Sequence, residues 1–293
     1  MIQQLVNALS LGSVYALIAV GYTLVYGILR FINFAHGDMI MIGAFVCFYL
    51  VPIIGFGHVG ALIVFVLTML ICAALGVLIE RLAYRPVRQR SKITMLITAI
   101  GVSMMLEYGG QWLFGADPKL FPGLVPSKVV INKSWLVLNS NTILVMAVAI
   151  SLMLGLQWVV YKTKIGAAMR ALADDQDAAK LMGIPVDRVI SITFAIGAAL
   201  AGAAGMLYAA MYPSIQPLMG IFPGLKAFVA AVMGGIGSIP GAVLGGFLIG
   251  FVETSVTAWI SPTYRDAIVF GLLIFILIIR PAGILGKNRP EKV

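Results

Sequence analysis

Apolar runs of helical length dominate the chain, separated by short clusters of charge. They fall at roughly 5–29, 39–55, 59–79, 93–114, 141–160, 190–211, 219–234, 241–260 and 266–280. A hydrocarbon core ~30 Å thick needs ~20 apolar residues of α-helix, so each run predicts a membrane span. Two runs are weak: 39–55 ends around Pro52, and 219–234 contains Pro223 and Lys226. The pattern predicts an all-α polytopic membrane protein, a bundle of about nine transmembrane helices (eight to ten) with one domain over 1–293. Residues 5–29 carry no charge and run well past the apolar core of a signal peptide, so they read as the first span.

Composition agrees. Of 293 residues, 61% are hydrophobic and 11% charged, against about 25% charged in a soluble domain. The net charge of +9 does not mark a nucleic-acid binder, because the basic residues sit in short loops between apolar runs. Arg81, Arg85, Arg88, Arg90 and Lys92 fill one loop. Lys162, Lys164, Arg170, Lys180 and Arg188 fall in a second, and Arg280, Lys287, Arg289 and Lys292 in the C-terminal tail. The positive-inside rule puts all three on the cytoplasmic side. An even number of crossings must then separate the second loop from the tail, so 219–234 has to cross. Three spans before Arg81 put the N-terminus outside. Cys47 and Cys72 lie inside apolar runs and read as small buried hydrophobes, not as a disulfide or metal pair.

The longest outer stretch, 115–140, holds Pro118, Pro122, Pro126, Asn132 and Asn139. It is either an ordered loop that meets an extracytoplasmic partner or a plain connector. The glycine cluster from Gly234 to Gly241 has no Lys-Ser/Thr pair and follows no soluble strand, so it is no nucleotide loop. Energy for any work must come from a partner or an ion gradient. An ion-coupled carrier working as a single chain would need buried carboxylates; a membrane-embedded enzyme would need a catalytic cluster, and the two histidines, His36 and His58, are far apart.

Segment 162–188 is long for a connector and rich in helix formers. Asp174 and Asp175 suit a helix start for 176–182, Gly183 a stop, and Pro185 the opening of the next span. The expectation is a short helix across the cytoplasmic face, flanked by Gly166 and Gly183. Three Asp and few bulky residues favour a protein groove over a lipid surface as its seat.

This segment, from Gly166 to Ile184, resembles the coupling segment of ABC-importer permeases. Ile32-Asn-Phe-Ala-His-Gly-Asp38, Glu80-Arg-Leu-Ala-Tyr-Arg-Pro-Val-Arg88 and Gly234-Gly-Ile-Gly-Ser-Ile-Pro-Gly-Ala242 resemble the LivH-type permeases of branched-chain amino acid uptake. The likeness runs over nearly the whole chain. It implies a multi-pass protein of the bacterial cytoplasmic (inner) membrane, working with a second related permease, two ATP-binding subunits and an extracytoplasmic amino-acid-binding protein. ATP and Mg would sit in those partner subunits and no cofactor in this chain. It further implies an ATPase-coupling surface on Arg170, Ala171, Asp174, Asp175, Ala178, Ala179, Leu181, Gly183 and Ile184. Permeases of this shape also serve urea and small amides.

Ionisable groups inside spans cost at least ~2.5–3.5 kcal/mol on insertion scales, so each invites a functional reading. Glu107 and Glu253 are the two deepest by position, with Lys226 nearer an end. Glu253 precedes Thr254, Ser255 and Thr257; it either lines a hydrated route or pairs with a partner such as Lys226. Asn33, His36, Gly37 and Asp38 link the first two spans, either as a structural break and cap or as part of a gate. Gly234, Gly235 and Gly237 are either a tight turn or a broken helix facing the substrate carboxylate. The small-residue stripes Gly241–Gly245, Gly246–Gly250 and Gly197–Ala201–Gly205 are for helix packing.

Overall fold

The computed structural model describes residues 1–123, 125, 127–133 and 135–286; Pro126, Lys287, Arg289 and Lys292 lie outside them. The helices are α1 (Ile2–Leu29), α2 (Ala35–Ile54), α3 (His58–Ile79), α4 (Lys92–Phe114), α5 (Ser140–Lys162), α6 (Lys164–Asp174), α7 (Gln176–Leu181), α8 (Val186–Met211), α9 (Ile221–Gly234), α10 (Ile239–Trp259) and α11 (Arg265–Ile279). A π-helical turn, Glu80–Tyr84, prolongs α3. Among the described residues eight helices are long and apolar enough to cross a membrane, the last of them continuous with a 3-10 turn over Pro262–Tyr264 that lengthens α11 to 18 residues, so the all-α polytopic reading holds.

The ninth crossing differs from expectation. α9 has only 14 residues, about 21 Å of helix at ~1.5 Å per residue, too short for the hydrocarbon core. The chain still passes from one face to the other between Met211 and Gly234, with the non-helical stretch 212–220 supplying the remaining depth.

α1 is the central post, buried along almost its whole length. It packs against α5, α8, α9 and α10. Between apolar helices in lipid there is no hydrophobic drive, so close backbone approach has to hold them. The sequence supplies it: Gly246 lies against Ala16 and Gly250 against Gly12 along α1–α10, while Gly202 lies against Cys72 and Gly43 where α8 meets α3 and α2. Beyond their first residues, His58 and Arg265, the exposed sides of α3 (Leu62, Val66, Leu70) and α11 (Ile274, Phe275, Ile278) are apolar and suit lipid.

The basic segments share one face. Arg85 Nη2 stands 2.6 Å from Asp187 Oδ2 and Arg88 also pairs with Asp187, tying the loop after α3 to the start of α8. The chain after α11 joins the same face, where Ile284 and Leu285 N–H groups donate to Met233 and Gly234 carbonyls at 2.8 and 2.9 Å. The opposite face carries the start of α1 and segment 115–140. Within its described residues β2 (Val129–Lys133) and β3 (Leu136–Asn139) pair antiparallel, and β1 (Lys119–Leu120) pairs with β4 (Ser214–Ile215).

Candidate functional site

After α1 the chain turns at Arg30 and runs back into the bundle. α2 therefore begins inside it, with His36 against Gly21 and Gly197, roughly half-way along α8. α9 begins at the same depth from the other direction. The two helix starts touch: a Cβ on Gly220 would stand 2.2 Å from the Gly37 carbonyl oxygen, and one on Gly224 2.7 Å from Gly37 Cα. Only glycine permits this backbone contact.

The chain does break between α1 and α2, over residues 30–34, but the cap reading of Asn33 and Asp38 is corrected. Gly37 is helical and serves contact, not chain reversal. The N-cap of α2 is Phe34, without a side-chain cap bond. Asn33 Oδ1 accepts from Tyr84 Oη at 2.6 Å, and Asp38 Oδ2 accepts from Ser103 Oγ at 2.6 Å. Both residues are buried. Asp38 has no Lys, Arg or His within ion-pair distance among the described residues. His36 packs its ring 4.4 Å from that of Tyr22, and its Nε2 has no hydrogen-bond partner. Two small cavities flank Asn33, one lined by His36, Gly76 and Phe194, the other by Tyr22, Thr23 and Phe228. Each is about 10 Å³, room for one water.

Glu253 and Lys226 are paired at 2.8 Å, as one of the two sequence readings had it. Lys226 also meets Asp266 Oδ1 at 2.7 Å, and Tyr15 Oη donates to Glu253 Oε2 at 2.9 Å. The cluster ties α1, α9, α10 and α11 together. Glu107 is only half-buried, on the flank of α4 one turn past Ser103. The position-based ranking of ionisable groups therefore missed Asp38 and Glu80, both buried. Glu80 sits in the π-helical turn, a feature common at functional sites, and its Oε2 accepts from Ser191 at 2.7 Å. The signal available was the location of Glu80 at the very end of an apolar run, which reads as interfacial until α3 is seen to extend beyond it.

Gly235 and Gly237 take φ of 107° and 89° in the turn between α9 and α10. That turn is packed under the stretch after α11, with Gly283 against Gly235. Gly234 closes α9, and Ser238 caps α10 by accepting from Gly241 N–H at 3.2 Å. The cluster lies at the basic face, remote from the α2–α9 contact.

Segment 162–188 holds two helices where one was expected. α6 starts on Thr163, whose Oγ1 accepts from Gly166 N–H at 3.1 Å, and turns Gly166, Met169 and Leu172 inward. Ala171 is partly buried on the same side, while Arg170 reaches back to the Val160 carbonyl and over the Tyr161 ring. Asp175 caps α7, accepting from Asp177 and Ala178 N–H groups at 2.9 and 3.0 Å. Gly183 ends it at φ 81°. The Ile184 N–H donates to Ala179 and the Gly183 N–H to Lys180, the pair of bonds of a Schellman stop. Ala179 faces inward and is buried, so it offers no surface to a partner. Asp174, Asp175, Ala178 and Gly183 are exposed. Leu181 and Met182 stand out most, 88% and 83% exposed.

The family described as the permease component of the branched-chain amino acid transport system matches residues 4–277. The chain is 42% identical to the high-affinity branched-chain amino acid transport permease BraD of Pseudomonas aeruginosa, covering 100% of this chain and 98% of the relative. It is 43% identical to the Escherichia coli K12 permease LivH, over 100% and 97%. A probable LivH of Methanocaldococcus jannaschii is 29% identical over 96% and 91%. No solved structure matches. On a whole-length match with both broken-helix and glycine-turn motifs inside it, the chain belongs to the family of branched-chain amino acid transport permeases.

Proposed function

We propose that this chain is the membrane-spanning subunit of an ATP-driven importer for leucine, isoleucine and valine in the bacterial inner membrane. It works beside a second related permease, two ATPase subunits and an extracytoplasmic amino-acid-binding protein. The observation that carries the reading is full-length identity above 40% to branched-chain amino acid permeases. The packing supports a shared route: α1 is buried and the flanking cavities have room for no more than one water each, so the path opens between this chain and the second permease.

ATP closes the ATPase pair against the face that carries α6 and α7. That movement separates or joins the two helix starts at Gly37 and Gly220. Their positive ends suit the substrate carboxylate. Asp38, buried without a counter-charge among the described residues, suits its ammonium group, which would supply the compensation an isolated buried carboxylate lacks. The binding protein sets selectivity, and the route need only be weakly polar and wide enough for an aliphatic side chain.

Affinity purification of the chain in mild detergent, followed by uptake of labelled leucine into vesicles, tests this. Co-recovery of ATPase subunits and ATP-dependent uptake are expected. Uptake that persists without any ATPase and follows an ion gradient would overturn the reading in favour of a single-chain carrier.

A further inference from the structure

We infer that Arg30 and Gln176 are positioning residues that carry movement of the α6–α7 segment into the bundle, through the turn between α1 and α2. The inference rests on the reading of the chain as a permease driven by separate ATPases, and it names the contact through which that drive enters.

Two hydrogen-bond links cross here in opposite directions. Gln176, the first residue of α7, donates from Nε2 to the Ile28 carbonyl at 2.7 Å. Arg30 donates from Nη2 to the Ala173 and Asp174 carbonyls at 3.2 and 3.4 Å. All three acceptors lie in the last turn of a helix, where carbonyls lack an intrahelical partner and a cation is favoured. The joint between α6 and α7 is Asp175, extended at φ −152° and ψ 115°. Each side of that joint is thus fastened to the end of α1.

Arg30 is held in an unusual backbone state to do this. It is the one non-glycine residue with positive φ among those described, at 53°. The left-handed conformation is strained for an L-residue, and glycine would adopt it freely. An arginine at this position makes sense where its guanidinium is needed, because the guanidinium supplies the link to α6.

The residues after Arg30 transmit the movement. Phe31 packs edge-on to Tyr84 at 5.3 Å, Tyr84 Oη donates to Asn33, and six residues on from Arg30 the ring of His36 lies against Gly21 and Gly197. Gly37 and its contact with Gly220 come next. A force on the exposed end of α7 therefore has a short path to the α2–α9 contact. Helices move as rigid rods and the connecting turns absorb the change.

The test uses the assembled complex in vesicles, with Arg30→Gly, Gln176→Leu and the two combined. ATPase recovery and thermal midpoint should match the unaltered complex, since glycine suits the left-handed position. ATP hydrolysis should persist, while leucine moved per ATP falls about ten-fold or more in the double variant, equivalent to ~1.4 kcal/mol of lost coupling. Arg30→Lys, which keeps the charge, should restore part of it. A second readout needs no substrate. A thiol introduced as Ile32→Cys should change reactivity when ATP is added to the otherwise unaltered complex, and lose that change in the double variant; native Cys47 and Cys72 are buried. Unchanged transport per ATP, or an ATP response at position 32 that survives the double substitution, would overturn the inference. So would loss of ATPase recovery in step with uptake, which would mark these residues as docking or folding groups. Failure of the unaltered complex to move leucine would remove the functional reading alone, and the thiol at position 32 would still judge the link.

Discussion

Lys226 Nζ lies between two carboxylates, 2.8 Å from Glu253 Oε1 and 2.7 Å from Asp266 Oδ1. Lys226 and Glu253 are almost fully buried, at 3% and 5% side-chain exposure. Tyr15 completes the coordination of Glu253 from α1. The short helix α9 has no length to anchor itself across the membrane, and this cluster fastens it to α1, α10 and α11. Glu253 thereby becomes part of a structural lock with both carboxylate oxygens engaged, the pairing that its sequence position left open beside a hydrated route.

Removing the lysine should cost more than neutralising the acid. Lys226→Met leaves Glu253 and Asp266 with only the exposed Arg265, 3.7 and 3.6 Å away, as counter-charge, and breaking a buried pair this way costs up to about 3–5 kcal/mol. Glu253→Gln keeps an acceptor for Tyr15 and leaves Lys226 paired with Asp266, so it should cost clearly less. Thermal unfolding of the purified chain in detergent, with both single variants and the double, measures this. Equal losses for the two single variants would show that the cluster is not organised around Lys226.

The α2–α9 contact gives a second expectation. A Cβ at Gly220 would fall 2.2 Å from the Gly37 carbonyl oxygen, a backbone atom that has nowhere to go. Gly220→Val should force the two helix starts apart, at about 1–3 kcal/mol for overpacking, and abolish uptake while leaving membrane insertion intact. Wild-type uptake by this variant would show that the contact is not maintained during transport.

Much of this was legible in the chain because the bilayer imposes a length and a polarity on each crossing. The span starts and ends came close at α3, α4, α5 and α11. Stop and start chemistry was readable where it is local, as at Asp175 and Gly183. Burial of Asp38 and Glu80 was not readable, because depth there depends on a chain that turns back into the bundle after Arg30 and on α3 continuing as a π-helical turn. Neither leaves a periodic trace. The inward face of Ala179 was hidden for a related reason: in so short a helix, only packing against α8 decides which small residue is covered. α6 did not separate from α7 in the sequence because its helix formers run on through Asp174, and its cap, Thr163, precedes a Gly166 that reads as a boundary and not as a buried helical position.

Sidedness follows from the basic residues and is directly checkable. Lys164 starts α6 on the face shared with Arg85, Arg88 and Asp187, while Lys128 is bonded into the base of the β2–β3 pair on the other face, its N–H donating to Ser140 Oγ at 3.0 Å. Substituted as Lys164→Cys and Lys128→Cys, the two positions should react with an impermeant thiol reagent from opposite sides of sealed vesicles, position 164 from the cytoplasmic side. Labelling of both from one side would contradict the fold, and labelling of 164 from outside would invert the assignment of faces.

The exposed end of α7 yields the sharpest expectation. Leu181 and Met182 are large apolar side chains left almost bare at the basic face, and Gly183 beside them has open space around it. Exposed apolar groups at a rigid, well-capped helix end mark a surface that another protein covers. Leu181→Asp with Met182→Asp removes that apolar surface while touching nothing inside the chain, so the permease itself should insert and unfold as before. Recovery of the ATPase subunits on the purified permease should fall about ten-fold, the loss expected when an anchor side chain worth ~1–2 kcal/mol leaves an interface, and leucine uptake should fall with it. Ala179→Arg makes the necessary contrast. Because Ala179 is buried against the bundle, a charge there should destabilise α7 and lower the yield of folded permease before any question of docking arises. Normal ATPase recovery in the Leu181/Met182 variant would show that the partner sits elsewhere on this face, and the docking surface would have to be sought among the exposed residues of α6.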